Sequence, residues 1–74
     1  MMSLPESLKR FRKEFKVTQK QAAQGADVAE RLYQKYEYGE VIPSVNVVLS
    51  LADFFNVSTD YLLGRTDNPN VLRN

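Results

Sequence analysis

The stretch that decides the fold runs from Glu30 to Glu40, ERLYQKYEYGE. In one short amphipathic run it carries the cations Arg31 and Lys35, the carboxylates Glu30, Glu37 and Glu40, one glutamine and three tyrosines. At helical spacing Tyr33 and Tyr36 fall on one side, while Arg31 and Lys35 fall on another. Two readings fit the stretch by itself. It is a helix that offers its polar side to a partner, or a charged surface helix with an aromatic seam. Its slightly acidic balance counts against the first reading where the partner is a polyanion, so the flanking residues have to decide.

Seventy-four residues suit one small domain. A chain of this size buries only about 60% of the surface it exposes when unfolded, so its core is modest. It contains no cysteine and no histidine, which excludes disulfides and zinc sites of ordinary composition; no metal or cofactor is expected. A secreted domain this small usually needs such staples, so the cytoplasm is the expected compartment. The start, MMSLPESLKRFRKEF, holds no continuous apolar leader, and VNVVLSLADFF (45–55) is too short and too interrupted to span a bilayer. The formal charge of +1 conceals an asymmetry. Lys9, Arg10, Arg12, Lys13, Lys16 and Lys20 make the first third basic, whereas Asp27, Glu30, Glu37 and Glu40 outweigh Arg31 and Lys35 further on. The basic stretch suits a polyanion and suits a solvated helix face equally well.

The apolar pattern is helical throughout and predicts an all-α domain of five short helices. Leu4, Leu8, Phe11 and Phe15 recur at helical spacing behind SLPE, a capping box, giving a first helix over roughly residues 4–15. TQKQ (18–21) is a second capping box, opening a short helix with Ala22, Ala23 and Ala26 inward. A third helix follows with Val28, Tyr33 and Tyr36 inward and a stop near Gly39. Asp27 with Glu30 has the form of a further capping box that would start this helix early, and Gly25 suggests a loosely held second helix. After IPS (42–44), Val48, Leu51, Ala52 and Phe55 form the stripe of a fourth helix, flanked by Val45 and Leu49. Ser58 caps a short fifth helix closed by Gly64, and residues 65–74 read as a polar tail.

Between residues 18 and 38 two short helices are joined by a few residues, and the first has an inner face of alanines. Small side chains let two helix backbones cross closely at a steep angle, as a helix-turn-helix requires. TQKQAAQGADVAERLYQKYEYGEVIPSVNVVLSLADFFNVSTDYLLG, with Arg12 upstream, resembles the helix-turn-helix domain of the phage repressor and Cro type, also called the xenobiotic-response-element type. The resemblance runs from about Leu8 to Gly64, within a domain placed at 4–64. It rests on the TQ that opens the second helix, Ala23, YE.G, IPS and LADFF.VS.DYLLG, in order and at the family's spacing.

The resemblance implies a lambda-repressor-like fold and a sequence-specific transcriptional regulator of phage or prokaryotic kind, expected to be a repressor. Gln19 matches a glutamine that contacts phosphate and braces the reading helix. Glu30, Arg31, Gln34 and Lys35 match the positions aimed at base edges in the major groove, and Leu32 faces outward beside them. Arg12 and Glu37 match a structural ion pair, and Tyr33 and Tyr36 match core positions with hydroxyls reaching the edge. Asp27 stands at a turn usually made by glycine, and aspartate tolerates the left-handed conformation needed there. The residue types suit base reading, since Arg and Lys donate to guanine, Gln pairs with adenine, and Glu accepts from cytosine N4. Lys16, Thr18, Lys20 and Tyr38 are candidate phosphate contacts.

Nothing in the chain suggests an enzyme. The serines have no neighbouring base and no nucleophile-elbow glycines, and a chain this short hardly encloses a pocket. The competing reading is a protein-interaction module, such as the antitoxin partner of a toxin, which the acidic balance of 27–40 favours. On the DNA reading two copies are expected on an inverted-repeat operator, because one motif reads too few base pairs. Tyr61, Leu62, Val71 and Leu72 are the candidate dimer contacts.

Overall fold

The computed structural model describes residues 3–70, so Val71 and Leu72 lie outside the described residues. Among the described residues five helices follow one another: α1 (Leu4–Glu14), α2 (Gln19–Gly25), α3 (Glu30–Tyr38), α4 (Val45–Phe55) and α5 (Thr59–Leu62). There is no strand among the described residues. Four helices begin on a hydroxyl cap. Ser3 and Thr18 form complete capping boxes with Glu6 and Gln21, and Ser44 and Ser58 cap α4 and α5. α3 is the exception: its cap residue is Ala29, which supplies no side-chain hydrogen bond.

The expected Asp27–Glu30 capping box does not form. Asp27 adopts φ 57° to turn the chain after α2, and its N–H donates to Gln24 O at 3.1 Å. An N-cap needs extended backbone, so one residue cannot serve both ends. Val28 accordingly lies ahead of α3, partly buried against the core, not within the helix. All five helices end alike, on a left-handed residue followed by an N–H reaching back five positions. The left-handed residues are Lys16, Asp27, Gly39, Asn56 and Gly64. The closing bonds are Val17 N to Arg12 O, Val28 N to Ala23 O, Glu40 N to Lys35 O, Val57 N to Ala52 O and Arg65 N to Asp60 O.

One core collects the apolar faces of all five helices: Leu8 and Phe11, Ala22 and Ala23 of α2 with Ala26 just after it, Tyr33 and Tyr36, the α4 stripe, Val57 and Leu62. The alanine face lets α2 cross closely against α3. α2 also meets α4, and there Gly25 has a role the sequence did not disclose. A Cβ on Gly25 would stand 2.2 Å from Cδ1 of Phe54, so this glycine admits an aromatic ring rather than loosening the helix. Phe15 caps the end of α1, half exposed, with its ring stacked on Phe11 and Phe55. Val45 and Leu49, expected beside the inner stripe of α4, are exposed. The described part of the tail folds back, since Ser58 N–H donates to Pro69 O at 2.9 Å.

Candidate nucleic-acid interface

α3 is fixed from its inner side by a polar contact as well as by packing. Tyr33 and Tyr36 enter the core, and Glu37 goes with them, only 2% exposed. Burying a carboxylate is costly unless it is paired and hydrogen-bonded. Arg12 of α1 meets that need as a two-pronged partner: Nε donates to Glu37 Oε2 at 2.7 Å and Nη2 to Oε1 at 3.2 Å. Gln19, the first residue of α2, donates Nε2 to the same Oε1 at 3.2 Å. Three helices thus meet at one carboxylate.

The charges agree with this arrangement. Burial alone would raise the Glu37 carboxyl; the hydrogen bonds from Arg12 and Gln19, with the Tyr33 hydroxyl close by, outweigh it and hold the group below the ordinary carboxylate value. The Tyr33 hydroxyl was expected to reach the edge of the core for a partner. It is instead buried without a hydrogen bond, and burial together with the nearby Glu37 carboxylate pushes it above the ordinary phenol value.

Outward from the pair, the polar contacts continue. Gln34 donates Nε2 to Gln19 Oε1 at 3.2 Å and lies 3.5 Å from Glu30 Oε2. Arg12, Glu37, Gln19, Gln34 and Glu30 therefore form one chain of contacts from the core to the start of α3. The other expected contact residues surround this chain without joining it. Arg31 and Leu32 are exposed and Lys35 is half-buried on α3. Lys16 is exposed in the turn before α2, and Lys20 is exposed in its first turn. Thr18 is committed to its cap, accepting from Gln21 N at 3.0 Å. Tyr38 is 64% exposed at the end of α3. The result is a polar face about one helix, with cations at its margins and carboxylates near its start.

The dimer candidates separate. Leu62 is 0% exposed, a member of the monomer core, so it is not available to a second chain; the reason is that α5 is a single turn that must bury its one large aliphatic residue to be held at all. Tyr61 is partly buried and stacks on Phe11. Sequence reasoning missed the residues that are exposed. Ile42 (90%), Val45 (75%), Leu49 and Leu63 border one groove with Leu4 and Pro43. Ile42 follows a helix stop, where side-chain periodicity gives no signal.

A family model described as helix-turn-helix matches residues 8–62, a span that takes in both α2 and α3. The chain belongs to this helix-turn-helix family, of the phage repressor type. Family relatives include the HTH-type transcriptional regulator ImmR of Bacillus subtilis, 38% identical over 66 residues, 89% of this chain and 52% of that protein. The cryptic phage CTXphi transcriptional repressor RstR of Vibrio cholerae is 36% identical over 64 residues, 86% of this chain and 57% of that one. These relatives are regulators rather than enzymes, and the chain spans little more than half of their length. Among solved structures, a transcriptional regulator from Listeria innocua superposes with a TM-score of 0.80 at 29% identity, over 97% of this chain and 65% of that one. The P22 c2 repressor, solved in complex with a synthetic operator, superposes with a TM-score of 0.82 at 24% identity, over 89% of this chain and all of the other. That last likeness is one of fold. Among the described residues no helix is long and apolar enough to cross a membrane.

Proposed function

We propose that this chain binds double-stranded DNA sequence-specifically as a cytoplasmic transcriptional regulator, acting as a repressor and reading the major groove with α3. The observation that carries the reading is the division of α3 into two sides. Tyr33, Tyr36 and Glu37 are locked to α1 and α2, while Glu30, Arg31 and Leu32 are left exposed. A surface helix needs only packing to stay in place; a reading helix needs its rotation fixed, and the bidentate Arg12–Glu37 pair supplies direction as well as attraction. Arg31 and Lys35 are the base readers in this proposal. Lys16, Lys20, Tyr38 and the amides at the start of α2 hold phosphates, with Thr18 setting that start and Gln19 bracing it. The names of the relatives favour DNA over a purely protein partner.

The assembly in this proposal is a two-fold dimer on an inverted repeat, because one motif reads too few base pairs to select a site. With Leu62 buried, the groove bordered by Ile42, Val45, Leu49 and Leu63 is the surface for the second copy. Ile42 projects beside the groove, and a two-fold contact lets each chain's projection enter the other's hollow.

A gel shift on duplexes selected from a random library tests the function. Binding is expected to weaken steeply with salt, with a slope near −0.9 per neutralised phosphate. Arg31→Ala and Lys35→Ala are expected to cost about 1–3 kcal/mol each on the selected site and much less on random duplex. Salt-insensitive binding, or both variants binding like wild type, would remove α3 as reader. Val45→Glu is expected to abolish cooperative binding to the full site and spare half-site affinity.

A further inference from the structure

α3 brings a carboxylate, Glu30, to the side that faces a polyanion in the function proposed above, and its surroundings indicate what that carboxylate is for. The contacts can be followed from the buried end. Glu37 is held ionised and only accepts, so the Gln19 amide beside it must meet it with nitrogen, as it does at 3.2 Å. Oε1 of Gln19 is thereby turned toward α3, where only a donor suits it, and Gln34 supplies Nε2 at 3.2 Å. An amide nitrogen carries a second hydrogen, and Gln34 Nε2 also lies 3.5 Å from Glu30 Oε2. Two acceptor-only groups, one buried and one exposed, fix the orientation of both amides between them. Flipping Gln34 would set oxygen against oxygen at both of its contacts.

Gln34 follows Glu30 by four residues and so stands beside it on the helix surface. Its nitrogen is committed within the protein. A bidentate pairing with adenine needs the nitrogen and the oxygen together, so Gln34 as held here is not arranged for one. We infer that Gln34 is a positioning residue, that Glu30 is the reader it positions, and that Glu30 accepts from an exocyclic amino group, N4 of cytosine or N6 of adenine. This rests on the DNA-binding function proposed above. The class of ligand follows from the groove itself. Amino groups are the only hydrogen-bond donors that base pairs show in the major groove, whereas guanine and thymine edges present acceptors that repel a carboxylate. A carboxylate already held in place also loses less freedom on binding than a mobile one.

The test is a selection of bound duplexes from a random library by wild type, Glu30→Ala, Gln34→Leu and the double variant, with melting temperatures recorded for each. Leucine keeps the bulk and helix propensity of Gln34 without its amide. Wild type is expected to prefer one base pair, in one orientation, at one position, and Glu30→Ala to lose that preference. Gln34→Leu is expected to weaken the same preference by roughly three- to tenfold, leave other positions alone, and add nothing in the double variant. Should Gln34→Leu melt early, Gln34→Ala carries the same comparison. Replacing the selected adenine by purine, or the cytosine by 2-pyrimidinone, removes the amino group and is expected to weaken wild type roughly tenfold and Glu30→Ala little. The inference is overturned if Gln34→Leu alters a position that Glu30→Ala does not, if Glu30→Ala changes no preference, or if removing the amino group from the selected pair leaves wild-type binding unchanged. A library showing no preference at any position would overturn the DNA-reading function itself, an outcome distinct from these.

Discussion

α4 turns Val48, Leu51, Ala52 and Phe55 to the core, all apolar, and begins on a serine cap; α3 turns in two tyrosines and a carboxylate and begins on an alanine that caps nothing. Apolar packing is non-directional, so α4 is held in depth more firmly than in rotation, and its losses are graded with the area removed. α3 is held by a contact with a direction. The two prongs of Arg12 on Glu37 fix where the helix points, at the cost of making its position depend on one ion pair. A helix that must present a side accurately benefits from the second arrangement, and a helix that only supports it does well with the first.

The comparison breaks most visibly at Arg12. Arg12→Ala leaves Glu37 buried without its cation, and removing one partner of a buried pair typically costs about 3–5 kcal/mol. In a domain of such small size that approaches the whole stability, so the variant is expected to melt far below wild type and to lose DNA binding through unfolding. An unchanged melting temperature would show that α3 is held by its tyrosines alone.

Acid should release part of the same interaction. The folded Glu37 carboxyl titrates below its ordinary value of 4.5, so the unfolded chain takes up that proton first as the pH falls. The contribution is intact above about 4.5 and is lost as the pH drops through the lower folded value. Melting temperatures between about pH 7 and pH 3 are expected to fall more for wild type than for Glu37→Gln, which has no proton to gain there. Parallel decline would mean that the carboxylate is not held down in the folded state.

Gly25 sharpens the contrast from the supporting side. Helix propensity alone predicts that Gly25→Ala stabilises α2 by about 1 kcal/mol. The Phe54 ring occupies the space a Cβ would need, so the change is expected to destabilise instead, by about 1–3 kcal/mol. Chemical denaturation of Gly25→Ala, Phe54→Leu and the pair would decide it. The pair should recover much of the loss, whereas a stabilised single variant would show that the ring swings freely into solvent.

Local signals made most of the fold legible. The capping boxes at Ser3 and Thr18, the alanine face of α2 and the stripe of α4 are each written within a few consecutive residues. What the sequence concealed depended on partners far along the chain. Gly25 looked like a weak point because Phe54 is 29 residues away in sequence, and Leu62 looked available because its burial depends on the other helices. The site divided in the same way. The family resemblance offered Arg31, Lys35 and Glu30 as candidates, while the contact of Gln19 with Gln34 exists only once α2 and α3 have crossed. Asp27 misled for another reason: its side chain suits two neighbouring roles, and its backbone permits one.

The smallest expected effect lies at the start of α3. Ala29 has the extended backbone of an N-cap, φ −65° and ψ 145°, but no side-chain acceptor for the first amides of the helix. In α1, α2, α4 and α5 a serine or threonine at the equivalent place accepts from the residue three further on. Ala29→Ser therefore restores a bond that the backbone is already shaped to receive, and typically contributes about 1 kcal/mol. Its serine oxygen would occupy the end of α3 where amides otherwise point toward solvent or phosphate. A rise in melting temperature of a few degrees is expected, together with weaker DNA binding if those amides meet a phosphate. Equal binding with higher stability would show that the start of α3 stands clear of the DNA backbone. A fall in stability would show that the turn through Asp27 leaves no room for the cap.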